Sequence, residues 1–579
     1  MTATACAVVL LAACSSGEST ESGPPETTDT EADVVSGTGF DPTRQGPAAD
    51  VEGATQGGIV TILTQSKDRV EPLDPSEAYQ SVHILSSLVF RSLTQYVYDP
   101  DQDAMVVVPD IATDVGTAND DFTEWEYTIR EGVRFEDGTE VTAEDVAYGI
   151  MRSFDDDAFP SGPRYSNEFF LDGDTYKGPY KTGNQYDGIE IDGNTLTLKM
   201  ARPFPAMPYW ATWPAMGPIP QAGSLPAEYK LHPLATGPYK FGDYEPGKSL
   251  TLVRNDQWDP ETDPGRHQYV DEFHLEYPTP VEQIESALLA DSGEAQTTLG
   301  LDSLLPSTLR TAQSDAPDRL VTGPSICMRS LSPDYRKIDD IDVRRAIGYA
   351  HPYEDVWRAN GATPGVTALA ATSVLPPGFP GRLDYNPLST EPGQTDPAKS
   401  RELLREAGYA PGEYRLYIAS YKDDVFYPAE AMAELAEGLE RGGFKVTVYP
   451  QNSLYDKNAM LFDPSSPVNL RQGGWCSDWP SGSRFLPPVL SSSDSDIGSN
   501  RALFHEEAVD DQIHAIGLLP LEEQPAAWGA LDKQIMTEYY PLVVTQYLGR
   551  VMLHGSRVGG VSYDSVNAEP YLKNLYVIQ

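Results

Sequence analysis

Apolar and polar positions alternate in short bursts along most of the chain, and the period switches between two and about 3.6. After Gly57 and Gly58, the run Ile59, Val60, Ile62 and Leu63 is apolar and mostly β-branched, which predicts a strand. From Trp125 to Arg130 (WEYTIR) alternate residues are apolar, as in a strand with one buried face. Asp137-Gly138 then predicts a turn, and Thr142 with Asp145 predicts a capping box. The helix it opens carries Val146, Ile150, Met151 and Phe154 on one side. Farther on, Tyr414 to Ile418 reads as a strand, Pro428 to Arg441 as a helix with Ala431, Leu435 and Leu439 inward, and Phe444 to Val448 as a strand after the Gly442-Gly443 stop. Strand, helix and strand in that order predict a βαβ unit with parallel strands. Asp396-Pro397 opens another helix through Leu403, Leu404 and Ala407 to Gly408. No internal repeat is visible.

One stretch conflicts with this punctuation. Gly242 to Ser249 (GDYEPGKS) fits the phosphate-binding pattern G-x-x-x-x-G-K-[ST], which needs a helix directly after it, so that the helix N-terminus can hold phosphate. The residues on its C-terminal side, Leu250 to Asn255 (LTLVRN), have a strand pattern instead, and Tyr239-Lys-Phe241 on its N-terminal side has another. Pro246 and Gly247 occupy the second and third positions that a type II turn demands. The stretch is predicted to be a hairpin tip and not a nucleotide site.

Length and charge narrow the class. A chain of 579 residues with 40% hydrophobic content is long enough for two or three cores. Its 41 Lys and Arg stand against 87 Asp and Glu, a formal charge of −46 that argues against nucleic acid and anionic membrane surfaces as partners. Solubility is sufficient reason for that acidity. At the N-terminus, Ala5 to Ala13 (ACAVVLLAA) is an apolar run too short to span a bilayer, which takes about 20 residues. It ends in Leu11-Ala-Ala-Cys14, small residues before a cysteine, which looks like a bacterial lipobox with Cys14 as the lipid site. Met1 to Thr4 lacks the basic residues of an ordinary signal peptide, so the true start is expected upstream. Ser15 to about Gln56 is rich in Ser, Thr, Gly, Pro and acidic residues and is expected to be a disordered tether.

Several segments in order resemble the extracellular solute-binding proteins, family 5, of bacterial peptide ABC importers. They are Leu73-Asp74-Pro75, Leu88 to Leu93 (LVFRSL), Val108 to Ala112 (VPDIA), and Trp125 to Val146 (WEYTIREGVRFEDGTEVTAEDV). Thr236 to Tyr239 (TGPY) with Arg254-Asn255, Asp342 to Ile347 (DVRRAI), Ala398 to Tyr409 (AKSRELLREAGY) and Gly474 to Trp479 (GWCSDW) come after them. The resemblance spans about Gly57 to Gln579. It implies a two-lobed α/β periplasmic-binding-protein-like fold of class II with an extra inserted domain, closing by a hinge. By analogy lobe I comprises about 57–100, 235–325 and 535–579, the inserted domain 101–234 and lobe II 326–534. The implied protein is monomeric and lipid-anchored on the outer face of the cytoplasmic membrane. It delivers oligopeptides to a permease whose ATPase is a separate cytoplasmic subunit.

The family also suggests residues. Oligopeptide binders carry a disulfide between the cysteine of the Gly-Trp-Cys-Ser-Asp segment and one near the start of the second lobe, here Cys476 and Cys327; two buried free thiols are the alternative. The aspartate two residues after that cysteine pairs with the peptide α-amino group, a role that falls to Asp478, with a turn cap as its alternative. Trp475 and Trp479 are candidates to wall the pocket, or core residues. Arg471 is a candidate for a ligand carboxylate, although it stands one residue farther from the Trp than the family's arginine. The chain also departs from the family at Ala350-His-Pro-Tyr-Glu354, where Ala-x-Asp-Arg is usual, a change expected at the pocket wall or the next helix.

Catalysis and cofactors find little footing. His505-Glu506-Glu507-Ala508-Val509 lacks the second histidine of a zinc-protease helix, the eight histidines have no metal spacing, and no G-x-S-x-G elbow occurs. The expectation is a binding protein, not an enzyme, with no metal and no cofactor. The alternatives are the same fold binding a nickel chelate or an oligosaccharide, a peptide-sensing receptor, and, in another class, an unrecognised hydrolase.

Overall fold

The computed structural model describes residues 39–100, 102, 104–424, 427–463, 465–492 and 500–579. The apolar N-terminal run, Cys14 and the first part of the expected tether lie outside the described residues.

Among the described residues, three large hydrophobic cores organise the fold. The first gathers residues between Val60 and Val577 around a five-stranded sheet with spatial order Thr298–Gly300, Ile59–Leu63, Glu272–Glu276, Ser249–Arg254 and Tyr239–Glu245. Ile59–Leu63 runs parallel to both of its neighbours and the other pairs are antiparallel. The GDYEPGKS stretch is a hairpin tip here: Gly247 has φ +74°, and Lys248 N–H donates to Glu245 O (3.0 Å). The Gly247 N–H meets the Glu71 carboxylate (2.7 Å), an internal anion in place of a phosphate.

The second core draws on residues from Leu93 to Tyr229, joined by Trp479, and packs on the sheet Thr117–Ala118, Glu124–Thr128, Thr195–Lys199, Ile189–Asp192. Trp125 and Tyr127 face the core while Glu124, Glu126 and Thr128 face water, as the period of two requires. The helix Ala143–Arg152 opens with the expected capping box, and Val146, Ile150, Met151 and Phe154 are buried. Arg152 is fully buried and donates to both oxygens of Asp74 (3.0 and 2.8 Å), so the Leu-Asp-Pro segment is tied to this helix by a bidentate ion pair.

The third core runs from Met328 to Tyr547. Its main sheet is antiparallel, with order Ala368–Leu369, Val543–Leu553, Leu320–Pro333, Leu470–Cys476. Beside it, Arg415–Tyr421 and Lys445–Gln451 pair in parallel around the helix Ala429–Arg441, the βαβ unit read from the sequence. Asp396 caps the helix Pro397–Glu406 by accepting from Ala398 and Lys399 N–H. His351 is buried in this part of the protein beside Tyr353, their ring centroids 4.5 Å apart, and burial pushes its pKa down to about 3. The departure from the family's Ala-x-Asp-Arg therefore sits among buried residues where the helix Tyr353–Ala359 begins.

One boundary differs from the sequence reading. The tether is expected to reach Gln56, yet residues 39–56 pack on the body. Asp41 N–H donates to Val107 O and Val107 N–H to Gly39 O (2.9 Å each), and Phe40 lies against Tyr209 (centroids 5.1 Å). One aromatic and a free strand edge offset the ordering entropy of an otherwise polar segment. Near the expected return to lobe I at 535 the chain serves several cores: Ile535, Met536, Tyr540, Val543, Val544 and Tyr547 pack in the third, Val551 and Leu553 in a smaller cluster with Leu63, Ile284 and Leu288, and Val558, Leu572, Leu575 and Val577 in the first.

Candidate functional site

A cavity of about 630 Å³ lies where these parts meet. One wall comes from the segment Tyr79–Ser87 with Gln95 and Tyr96. The facing wall comes from Ser325–Cys327, Cys476–Asp478 and Gln546–Arg550, and a third from the C-terminal residues Asp564–Lys573. Its volume is in the range of pockets that enclose small ligands.

Asp478 lies two residues past the end of the strand Leu470–Cys476 and lines the cavity. Its position is fixed by the pairing of Cys476 opposite Cys327, which form a disulfide, and by Ser477 N–H donating to Ile326 O (3.1 Å). The Tyr79 hydroxyl donates to Asp478 Oδ1 (2.5 Å), and the Tyr165 hydroxyl donates to Oδ2. Burial, and then the negative charge of Asp478, push Tyr79 far above the usual phenol range; burial is also the largest cause raising Tyr165, so both remain donors. Arg484 approaches Oδ2 to 3.9 Å but spends its Nη2 hydrogen bond on the Tyr165 hydroxyl (3.0 Å), with its guanidinium over Tyr165 and Trp479. The carboxylate is thus held in place by two neutral donors while the nearest cation remains beyond direct hydrogen-bond distance.

The other sequence candidates sit elsewhere. Arg471 is 2% exposed and pairs with Asp334 (2.8 Å), with further bonds to Leu461 O and Arg501 O; its guanidinium is a structural tie and not part of the cavity lining. Trp479 is fully buried in the second core against Tyr165, Phe204 and Tyr209. Trp475 is half-buried against the third core and donates from Nε1 to Arg484 O (2.6 Å). Neither tryptophan lines the cavity, and nor does the Ala350–Glu354 segment. The residues that sequence reasoning missed are Tyr79, Tyr165 and Arg484. The tyrosines stand 399 and 313 positions from Asp478, and nothing local marks either one.

Lys573 lines the same cavity and donates to Gln95 Oε1 (2.7 Å) and Tyr96 O (2.6 Å). Burial, and then the Arg266 charge, lower its pKa to about 7 from an ordinary 10.5. The unfolded chain therefore binds more protons between these two values, and this residue's contribution makes stability rise with pH across that window. In parallel urea titrations, the stability of the wild type relative to Lys573→Met should climb from about pH 7 to about pH 10 and be flat at lower pH. A constant difference would mean that the folded lysine keeps its proton throughout.

Comparison with known proteins places the chain. Residues 106–496 match the family described as bacterial extracellular solute-binding proteins, family 5 middle. The chain belongs to that family. It is 28% identical over 470 residues to the glutathione-binding protein GsiB of Salmonella paratyphi A, covering 76% of this chain and 80% of the relative. To the same-named protein of Shigella dysenteriae it is 28% identical over 532 residues (84% and 92%). Among solved structures, clavulanic acid biosynthesis oligopeptide binding protein 2 superposes with a TM-score of 0.80 at 24% identity, covering 93% of this chain and 99% of that one. The unliganded open form of the murein tripeptide binding protein MppA gives 0.72 at 18% identity, covering 93% and 99%. The two-lobed α/β fold and the role of a solute-binding component of an ABC importer, working outside the cytoplasm, come with that membership. Among the described residues no helix is long and apolar enough to cross a membrane.

Proposed function

We propose that the protein captures short peptides between its lobes, holding their free N-terminus at Asp478, and presents them to a membrane permease while anchored through a lipid on Cys14. The observation that carries the reading is the Asp478 carboxylate, on the wall of a 630 Å³ cavity and flanked by the Tyr79 and Tyr165 hydroxyls. Tyr79 donates its one proton to the carboxylate and keeps oxygen lone pairs to receive N–H groups, while Tyr165 already accepts from Arg484 Nη2, so an ammonium entering here finds an anion and one neutral acceptor. Relatives named for glutathione binding and fold neighbours named for oligopeptides support a peptide over a sugar or a metal chelate. In this reading lobe I comprises about 57–100, 235–325 and 535–579, the inserted domain 101–234 and lobe II 326–534. The monomeric protein closes them over its ligand, and the closed form is what the permease receives. It turns over no substrate.

Native mass spectrometry of the gently purified chain tests the ligand class. Short peptides should co-purify. With a bound peptide identified, Asp478→Asn should weaken its binding about ten- to a hundredfold, the loss of one charge-assisted contact of about 1.5 to 3 kcal/mol, as measured by calorimetry. N-terminal acetylation of the peptide should do the same. Sugar or chelate masses, or peptides indifferent to both changes, would leave the family membership standing and remove the peptide and Asp478 assignments.

A further inference from the structure

The cavity reverses the charge of the chain that encloses it. Acidic residues outnumber basic ones by 87 to 41 overall, yet the lining carries four arginines, Arg69, Arg266, Arg329 and Arg550, and Lys573, which loses its proton near pH 7, against three carboxylates. Arg266 is engaged in a buried cluster with Asp110 and Asp263. Arg69 and Arg550 form a different arrangement. Both pair with Glu569, Arg550 Nη2 at 3.1 Å, and Arg550 is anchored further by donating to Leu301 O (2.7 Å) and Ala568 O (3.2 Å). Among the described residues, these bonds use Nε and Nη2 of Arg550 and leave Nη1 over, while Arg69 is held through Nη1 to Glu569, leaving its Nε and Nη2 for another acceptor. Four polar atoms of buried lining residues are likewise without a partner: Glu569 Oε2, His83 Nε2, Ser325 Oγ and Tyr571 Oη. Glu569, His83 and Ser325 are 7, 6 and 4% exposed, so bulk water does not readily serve them.

Resting on the peptide reading above, we propose that Arg69 and Arg550 form a second subsite, which binds a carboxylate of the ligand, with Glu569 as the positioning residue that holds the two guanidiniums side by side. Guanidinium donors match a carboxylate in shape and charge, and a pair already oriented by an internal anion loses little freedom when a second anion arrives. Burial, and then the neighbouring Arg69 charge, pull Arg550 down to about 10, so it remains protonated at neutral pH and gains from an added anion. The negative charge of Asp302 acts on both arginines and offsets part of their charge.

The sheet sets the spacing between the subsites. Asp478 lies just past the strand Leu470–Cys476, and Arg550 sits on Val543–Leu553, with Leu320–Pro333 between them. Two strand spacings put the backbones roughly 10 Å apart across the sheet. Three extended residues span about that distance. An ammonium at Asp478 and a C-terminal carboxylate at Arg69 and Arg550 therefore select a peptide of about three residues with both ends free.

The test is calorimetry with the tripeptide Ala-Ala-Ala and its C-terminal amide, on the wild type and on Arg69→Gln, Arg550→Gln, Arg550→Lys and Asp478→Asn. Arg69→Gln removes only the Glu569 pair, so it keeps the test open if Arg550→Gln fails to fold. The wild type should prefer the free acid about ten- to a hundredfold. Either glutamine variant should cut that preference to within about threefold, mostly by weakening the acid, and Arg550→Lys should restore part of it. Equal binding of acid and amide by the wild type, with both weakened in Asp478→Asn, would keep the peptide reading and overturn this subsite. A preference that survives in the arginine variants would also overturn it. Binding of neither form by the wild type would remove the peptide reading and the subsite together.

Discussion

Removing the Cys327–Cys476 disulfide should destabilise the third core by up to about 5 kcal/mol, the entropic value for cross-linking two points 149 residues apart. The two cysteines already face one another across hydrogen-bonded antiparallel strands, with Cα atoms 4.1 Å apart. Breaking the bond therefore leaves the folded pairing largely as it is and acts by releasing the unfolded chain. Paired urea titrations of the wild type and the Cys327→Ser/Cys476→Ser variant, with tryptophan fluorescence and far-UV circular dichroism as probes, measure the loss. A midpoint unaffected by the substitution would show that the unfolded segment is already compact enough to make the cross-link redundant. A second consequence is local. Asp478 stands two residues beyond Cys476 in that retained pairing, so the folded variant should bind ligand about as the wild type does.

Trp479→Ala should cost about 3 to 5 kcal/mol, the usual range for emptying a site filled by a buried indole. Trp479 belongs by sequence to a segment leaving the third core, but its side chain fills the second. It lies parallel to Tyr209 (10° between planes, centroids 6.4 Å apart) and tilted against Tyr165 at 4.8 Å. Its removal should loosen the second core and withdraw support from Tyr165, one of the two phenols on Asp478. Limited proteolysis within residues 101–234 should accelerate along with the lower denaturation midpoint. A stability loss below about 1 kcal/mol, accompanied by a large fall in ligand affinity, would instead make Trp479 part of the pocket wall.

Asp478 and Arg471 show how differently two neighbouring residues can be read from sequence. Both come from the same segment, and the resemblance offered a ligand role to each. Asp478 lines the cavity, while Arg471, seven residues earlier, points to Asp334 in the third core. A position's place along the chain carries its backbone context, but which wall its side chain meets depends on partners far away. For Arg471 the partner is 137 residues distant, and for Asp478 the partners are 399 and 313 residues distant. The same reason hid the meeting of Arg69 and Arg550 at Glu569, which brings the two ends of the described chain together.

The sequence by itself determined what depends on neighbours in the chain. The strand Glu124–Thr128, the capped helix Ala143–Arg152, the βαβ unit and the hairpin tip that only imitates a phosphate loop all derive from period, capping and turn chemistry within about a dozen residues. The ordered motifs added the family. Only the tertiary structure decided that residues 39–56 pack on the body, that the strand Val543–Leu553 divides between the third core and a smaller cluster, that Trp479 plugs the second, and which charges meet in the cavity. Those outcomes are set by burial and charge pairing between segments hundreds of residues apart, where no local period points from one partner to the other.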